Sequence, residues 1–190
     1  MVKTVDEGGG IPRALEIVKR PWHVWGLVLL CLWVIAHWVE HLAQLFEVLF
    51  LGEHRVHAHG AIGSLWPILV TSEWLHFTYV ALTFLGLALL LSGFTGEARW
   101  WWNVTVLIGG WHVIEHALLL SQALTGYTLF GRPEPVSLLQ LVIPRLELHL
   151  VYNAAMTVPM VMALLKYVWQ PGESEMTHGQ ERSVSSVVSR

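Results

Sequence analysis

The pattern of hydrophobic positions along the 190-residue chain is dominated by four long apolar stretches, at residues 22–51, 65–93, 100–124 and 138–169. Each is longer than the roughly 20 residues that a helix needs to cross a bilayer core of about 30 Å. The first stretch begins too late and runs too long for a secretory signal peptide, so we interpret it as a retained span. The pattern therefore predicts an all-α integral membrane protein, a four-helix transmembrane bundle.

The regions outside these stretches complete the predicted organisation. Residues 1–21 form an N-terminal segment in which the spacing of apolar and basic residues over 11–20 favours a short interfacial helix. Residues 22–169 form the bundle, and the polar, Ser-rich residues 170–190 are typical of a disordered tail. Positively charged residues predict a multi-pass protein with both termini and the 94–99 loop in the cytoplasm. The residues on that side are Lys3, Arg13, Lys19, Arg20, Arg99 and Lys166, against Arg55 and Arg132 opposite.

Composition narrows the class of protein. Hydrophobic residues make up 54% of the chain and charged residues 13%, whereas a soluble domain carries about 25% charged residues. A water-soluble globule is therefore excluded, and a net charge of −3 gives nucleic acid nothing to bind. The single cysteine, Cys31, excludes a disulfide framework and a cysteine-based zinc site. The 11 histidines need a separate explanation.

Two polar motifs occur twice. The pattern H-x-x-E-H starts at His37 and again at His112, 75 residues later, and H-x-x-Y starts at His76 and again at His149, 73 residues later. Because two motifs repeat at nearly equal offsets, we expect the bundle to consist of two repeated helical hairpins. Their axis would then run along the membrane normal.

Polar side chains within the predicted spans converge on one layer. Each charge at a helix centre costs about 2.5–3.5 kcal/mol on insertion scales, so the carboxylates there need partners. Helical spacing places His37, Glu40 and His41 on one face, and His112, Glu115 and His116 on another. Glu73 shares a face with His76, whereas Glu147 points away from His149 and is the weakest candidate.

Imidazole and carboxylate are the usual ligands of iron, zinc, manganese and copper. The sequence therefore predicts a midplane dinuclear metal site, with iron favoured and copper or zinc possible. Four-helix carboxylate bundles hold two metals with the same ligand types. The H-x-x-x-H spacing is similar to a motif of integral-membrane di-iron oxygenases, but their H-x-x-H-H boxes are absent, so the resemblance is one of ligand chemistry. The predicted ligands are His37, Glu40, His41, Glu73, His76, His112, Glu115, His116 and His149.

Further candidates surround this layer. Tyr79 and Tyr152 lie one helical turn from His76 and His149, where they could donate protons as catalytic residues or simply pack. His54, His57 and His59 in the loop between the first and second predicted spans could capture a metal or be surface histidines.

Three functions fit the sequence. The first is a metal-dependent membrane oxidoreductase or oxygenase that acts on a lipophilic substrate reached from the bilayer, with an electron-transfer partner and a homo-oligomer both possible. The second is an electron carrier with a b-type haem held by two histidines. The third is a metal-ion or proton transporter, for which four spans are few unless the protein oligomerises.

Overall fold

The computed structural model describes residues 21–55 and 57–169, and within these ranges the chain is all-helical. Helix α1 covers Pro21–Phe50, followed by two single-turn helices, α2 at Gly60–Gly63 and α3 at Ile68–Thr71. Helix α4 covers Glu73–Leu90 and continues as a 3-10 turn at Leu91–Gly93. Helix α5 covers Gly96–Thr125, and α6 covers Arg145–Trp169, with short 3-10 turns at Leu129–Gly131 and Leu139–Leu141 between them. The predicted interfacial helix at 11–20 and tail at 170–190 lie outside the described residues.

The four long helices, α1, α4 with its 3-10 turn, α5 and α6, are each long and apolar enough to cross a membrane, as predicted. Two of the predicted boundaries are wrong. The second apolar stretch begins its helix at Glu73 rather than 65, because Ser72 is extended and its side chain accepts a hydrogen bond from the Leu75 N–H. The fourth begins at Arg145 rather than 138, directly after Pro144. The apolar residues before each start belong to irregular segments instead.

The long helices run alternately up and down, and each packs against its neighbours in chain order. Helix α5 packs most extensively against α6 and α4, and α1 closes the bundle by packing against α4 and α6. The start of α1 lies beside the ends of α4 and α6, since His23 contacts both Leu90 and Tyr167. This arrangement is a four-helix bundle with two ends of different character.

The end that holds the N-terminus of α1 is closed by tightly packed side chains. Trp102, Phe94 and Leu87 are fully buried there, and the Trp102 indole N–H donates to the Leu87 carbonyl at 2.8 Å. His23 is also fully buried: its Nε2 donates to the Leu90 carbonyl at 3.0 Å, and its Nδ1 accepts from the Tyr167 hydroxyl at 3.2 Å. Because both ring nitrogens are used locally, His23 is a structural residue.

The distribution of polar and apolar side chains is the reverse of that in a soluble bundle. Large apolar residues lie exposed on all four helices, for example Leu29, Leu89, Leu107 and Val158, each more than 60% exposed. Histidine, glutamine, glutamate and asparagine side chains lie buried between the helices. An apolar surface of this extent is unfavourable in water.

The packing at the closed end generates a stability prediction. A Cβ atom on Gly93 would lie 1.9 Å from Nε2 of His23, so the ring would have to move from the Leu90 carbonyl. We expect Gly93→Ala to destabilise the protein by about 1–3 kcal/mol, as overpacking typically does. The measurement is the thermal unfolding midpoint in detergent.

Gly86→Ala is the matched control, because its Cβ would meet only the Leu30 Cδ1 at 3.3 Å. Combining Gly93→Ala with His23→Ala should cost less than the sum of the two single changes. A Gly93→Ala variant no less stable than Gly86→Ala would contradict this account.

Candidate functional site

Six histidines from the four long helices meet in one cluster, which we call the histidine cluster: His37, His41, His76, His112, His116 and His149. Helix α1 supplies one pair, His37 and His41, with ring centroids 4.3 Å apart. Helix α5 supplies the other pair, His112 and His116, 4.7 Å apart. The sequence placed all six in one layer, and the structure brings their rings together.

One histidine from each of the other two helices lies between these pairs. His149 on α6 contacts His41 at a ring separation of 4.9 Å, and His76 on α4 contacts His116 at 5.9 Å. The rings of His76 and His149 are 6.0 Å apart. His76 and His149 are only the fourth and fifth residues of their helices, rather than a dozen residues into a span as the sequence indicated. The cluster therefore lies near the N-terminal ends of α4 and α6 but about midway along α1 and α5.

Local hydrogen bonds determine the protonation of three of these rings. Nδ1 of His76 lies 3.2 Å from the Ser72 carbonyl, and Nδ1 of His149 lies 2.7 Å from the Arg145 carbonyl. His41 Nδ1 is likewise 2.7 Å from the amide oxygen of Gln44. A carbonyl oxygen only accepts, so each Nδ1 carries a proton and Nε2 of the neutral ring keeps its lone pair.

This arrangement leaves buried ring nitrogens without a partner inside the histidine cluster. Nε2 of His149 is buried without a hydrogen-bond partner among the described residues, and the same holds for Nδ1 of His112 and of His116. Buried polar atoms are nearly always paired, so a water molecule or a bound ligand would be needed to pair these three nitrogens. A histidine whose Nδ1–H is held by a carbonyl, leaving Nε2 bare, is the form that coordinates metals.

The first pair also has a separation that suits a shared ligand. Nε2 of His37 and Nε2 of His41 are 3.1 Å apart, and a His37 N–H donates across this gap. Two imidazoles each about 2.0–2.1 Å from one metal ion place their nitrogens about 2.9–3.4 Å apart. A metal ion could therefore take the place of the shared proton. No group of three or more His, Cys, Asp or Glu side chains within residues 21–55 and 57–169 is arranged as a metal-holding group.

The predicted carboxylate ligands of α1 and α5 have other partners. Glu40 accepts hydrogen bonds from the backbone N–H of Ile62 at 2.8 Å and of Gly63 at 2.9 Å. Glu115 accepts one from the N–H of Leu139 at 3.3 Å. Both glutamates thus fasten an irregular segment, 51–72 or 126–144, against the helix that precedes it.

A second polar residue on each of these helices holds the same segments farther out. Glu47 accepts from the N–H of Gly60 at 3.2 Å. Gln122 accepts from the N–H of Leu129 at 2.7 Å and donates to the Val136 carbonyl at 2.8 Å. Helices α1 and α5 each end nine residues beyond the cluster, at Phe50 and Thr125, so the fastened segments lie alongside projecting helix ends.

The two remaining carboxylates near the cluster form ion pairs. Glu73 lies 2.6 Å from Arg145, and Glu147 lies 2.6 Å from Arg55. The pairing of Glu147 with a loop arginine agrees with its predicted direction away from His149. Each of Glu73, Glu115 and Glu147 uses one oxygen in these contacts, and its second oxygen is buried without a hydrogen-bond partner among the described residues.

The two tyrosines pack on histidines rather than point into open space. Tyr79 stacks on His37 at 4.1 Å and on Trp33 at 4.7 Å, and its hydroxyl donates to the Trp33 carbonyl. Tyr152 lies 4.2 Å from His112. Trp33 is not among the predicted site residues, although its position one turn before His37 is a signal that could have found it.

Cavities reach the cluster from two directions. A cavity of about 620 Å³, which we call the outer cavity, opens at the end of the bundle opposite the closed end. Arg145, Glu73 and Gln44 line it beside His41, His76 and His149. A second, of about 360 Å³, opens laterally between α1 and α4 beside His37, His41 and His76. A third space, between the cluster and the closed end, is about 20 Å³, which is room for about one water molecule.

The histidines between helices α1 and α4, His54, His57 and His59, contribute little to the cluster. His59 lines the outer cavity, whereas His54 and His57 do not line any of the three cavities described above. Among the described residues, imidazole nitrogens are therefore most concentrated in the six histidines of the cluster.

The fold and the cluster together define a class: an all-helical bundle with an apolar exterior and a buried set of histidines on all four long helices. Comparison of the chain with known protein families, curated proteins and solved structures finds no match. The function is therefore argued from the site itself.

The bonds of Glu40 generate a prediction about local stability. Glu40→Ala leaves two N–H groups without their acceptor, at a cost of about 1–3 kcal/mol each if they stay buried. We expect faster hydrogen exchange at Ile62 and Gly63, measured by mass spectrometry on the protein in detergent. Gln122→Ala is the control, since it should release residues 129–136 and leave 60–63 protected. Unchanged exchange at Gly63 in Glu40→Ala would show that the carboxylate does not hold this segment.

Proposed function

We propose that this protein is an integral membrane metalloprotein whose histidine cluster binds two metal ions, and that it acts as an oxidoreductase on a lipophilic substrate. The observation that carries the proposal is the cluster of six histidines on four helices. Three of its rings are oriented through Nδ1, and one buried nitrogen each of His112, His116 and His149 has no partner among the described residues. Such outer hydrogen bonds fix the tautomer and orientation of metal-binding histidines.

Membrane insertion is supported by the distribution of side chains. Four apolar helices of sufficient length carry their large apolar residues outward and their polar residues inward. The irregular segments 51–72 and 126–144 fit the same environment, because backbone at membrane depth needs protein partners for its N–H groups. Glu40, Glu47, Glu115 and Gln122 supply those partners.

Two repeated hairpins, α1 with α4 and α5 with α6, are part of the proposal. Supporting contacts recur at the offsets of the sequence motifs: His37 on Tyr79 matches His112 on Tyr152. The contact of His41 with His149 matches that of His116 with His76, in which each histidine reaches the other hairpin. A two-fold axis through the cluster would then relate two metal-binding halves.

Each half would consist of the pair on one long helix with one histidine from the opposite hairpin. The halves are His37, His41 and His149, and His112, His116 and His76, with His149 also 5.3 Å from His116 across the boundary between them. Donors of this kind suit copper, zinc, iron and nickel. Glu40 accepts a hydrogen bond on each oxygen, whereas Glu73 and Glu115 each keep one buried oxygen without a partner among the described residues. Both a histidine-only set and the carboxylate-bridged di-iron site that the sequence favours therefore fit the donors present. Redox-active copper or iron would supply the electron-transfer chemistry.

The two alternatives have less support. A haem between two histidines needs a slot for its macrocycle, whereas neighbouring rings of the cluster are 4.3–6.0 Å apart and in mutual contact. A transport path across the bundle would have to pass Trp102, Phe94 and Leu87, which are fully buried at the closed end. Both large cavities reach the cluster without continuing beyond it.

Metal analysis tests the proposal directly. Protein purified without chelators should contain about two atoms of copper, iron or zinc per chain by plasma mass spectrometry. His41→Ala and His116→Ala should each lower this to about one, because each removes a ligand from one half.

His57→Ala is the control and should retain the full content, since His57 lies on the loop outside the cluster. Fewer than about 0.2 metal atoms per chain in gently purified protein would refute the proposal.

The membrane topology can be tested with single cysteines. In a Cys31→Ser background, Glu53→Cys and Ser174→Cys should react with a membrane-impermeant maleimide from opposite sides of sealed vesicles, because three spans separate them. The positive-inside pattern predicts that Ser174→Cys reacts from the cytoplasmic side. Labelling of both positions from one side would contradict the four-span arrangement.

A further inference from the structure

The lateral cavity between α1 and α4 differs from the outer cavity in its lining. Helix α1 contributes Trp33, Ala36 and the cluster pair, and α4 contributes His76, Tyr79 and Leu82. The short helices α2 and α3 close it with Ile62 and Leu69. A volume of about 360 Å³ lies within the range of about 300–1,000 Å³ that small-molecule sites have. The cavity therefore joins the outer surface of the bundle to the histidine cluster.

The charge of the lining restricts the ligand. No lysine or arginine lines this cavity, and its one formally charged residue is Glu40. A phosphate or carboxylate head group would meet no cation and one carboxylate. A plain hydrocarbon would leave the polar groups beside the cluster without partners, which is unfavourable. A neutral head that forms hydrogen bonds, attached to an apolar body, fits both constraints.

The acceptors that remain available indicate what that head carries. The Nε2 lone pair of His76 is assigned to the proposed metal, and the hydroxyl of Tyr79 already donates to the Trp33 carbonyl. The Glu40 carboxylate lines the cavity and accepts two backbone N–H groups, which leaves further lone pairs. A ligand hydroxyl therefore has an acceptor in Glu40. The stacked rings of Trp33, Tyr79 and His37 form an aromatic side of the cavity, which favours a flat ring.

A difference between the proposed hairpins accounts for the cavity. At the offset of 75 residues, Ala36 beside His37 corresponds to Trp111 beside His112. An alanine leaves open the space that an indole would occupy. We therefore attribute the opening of this cavity to the difference between Ala36 and Trp111 at one matched position of the sequence.

We propose that the cavity between α1 and α4 binds a neutral, lipid-soluble molecule with a hydroxylated aromatic ring, of the phenol or hydroquinone class. This inference deepens the proposed function and rests on it, because the ring would lie beside the metal-binding histidines. The hydroxyl would donate to the Glu40 carboxylate, and the apolar remainder would extend past Leu82 toward the lipid.

The test is equilibrium binding of a decyl-substituted hydroquinone to the full chain in nanodiscs, under argon, with empty nanodiscs subtracted. Saturable binding is expected, without competition from decanoate or decane. Ala36→Trp copies Trp111 into the cavity and should weaken binding by about tenfold or more, equivalent to about 1.4 kcal/mol. Trp111→Ala, on the other hairpin, is the matched control and should bind as the wild type does.

Leu82→Trp fills the same cavity from α4 and keeps the test valid if Ala36→Trp does not fold. Unweakened binding in both cavity-filled variants, equal competition by decanoate, or no saturable binding would each overturn the inference. Metal content is measured on the same samples. If the protein contains metal but does not bind the probe, this inference fails and the metal proposal stands. If the protein lacks metal but binds the probe at this cavity, the metal proposal fails and the binding site stands.

Discussion

Polar groups inside an apolar bundle must find partners within the protein, and most of this structure follows from how that requirement is met. The histidine cluster depends on carbonyl oxygens at the bundle's outer half: those of Ser72 and Arg145 orient His76 and His149. Both carbonyls lie four residues before their histidine, which is about one helical turn. Each hydrogen bond therefore forms within a single helix and needs no residue from elsewhere in the chain. The late starts of α4 and α6 thus position the cluster as well as shorten the helices.

The same requirement explains why glutamates within the predicted membrane spans accept hydrogen bonds from neighbouring backbone. An irregular segment packed against a helix end exposes N–H groups that neither helix nor lipid can satisfy. Glu40 and Glu115 accept from those groups at matching places, beside Ile62 and Leu139. A glutamate between two histidines of one motif can therefore face the following segment while its neighbours face the cluster. Helical spacing alone does not distinguish these two uses, because both directions lie within one face of about 100°.

The sequence predicted the four apolar helices and the convergence of six histidines, because both depend on period and spacing, which a single chain displays. It did not predict the starts of α4 and α6, since residues 65–71 and 138–143 are as apolar as a span and are separated from it only by Ser72 and Pro144. The partner of Glu147 also escaped prediction. Arg55 lies 92 residues away, and such a pairing depends on tertiary packing.

The two occurrences of the motif bear on access to the proposed metal centre. His37 and His112 each contact a tyrosine of their own proposed hairpin, with the rings stacked at 20° in the first case and tilted at 45° in the second. Just outside the motif the two differ, since Ala36 faces an open cavity while its counterpart is Trp111. Two equivalent metal ions, as proposed, would need matching ligands, whereas one substrate would need one route of access. A difference next to the motif, rather than within it, would meet both needs.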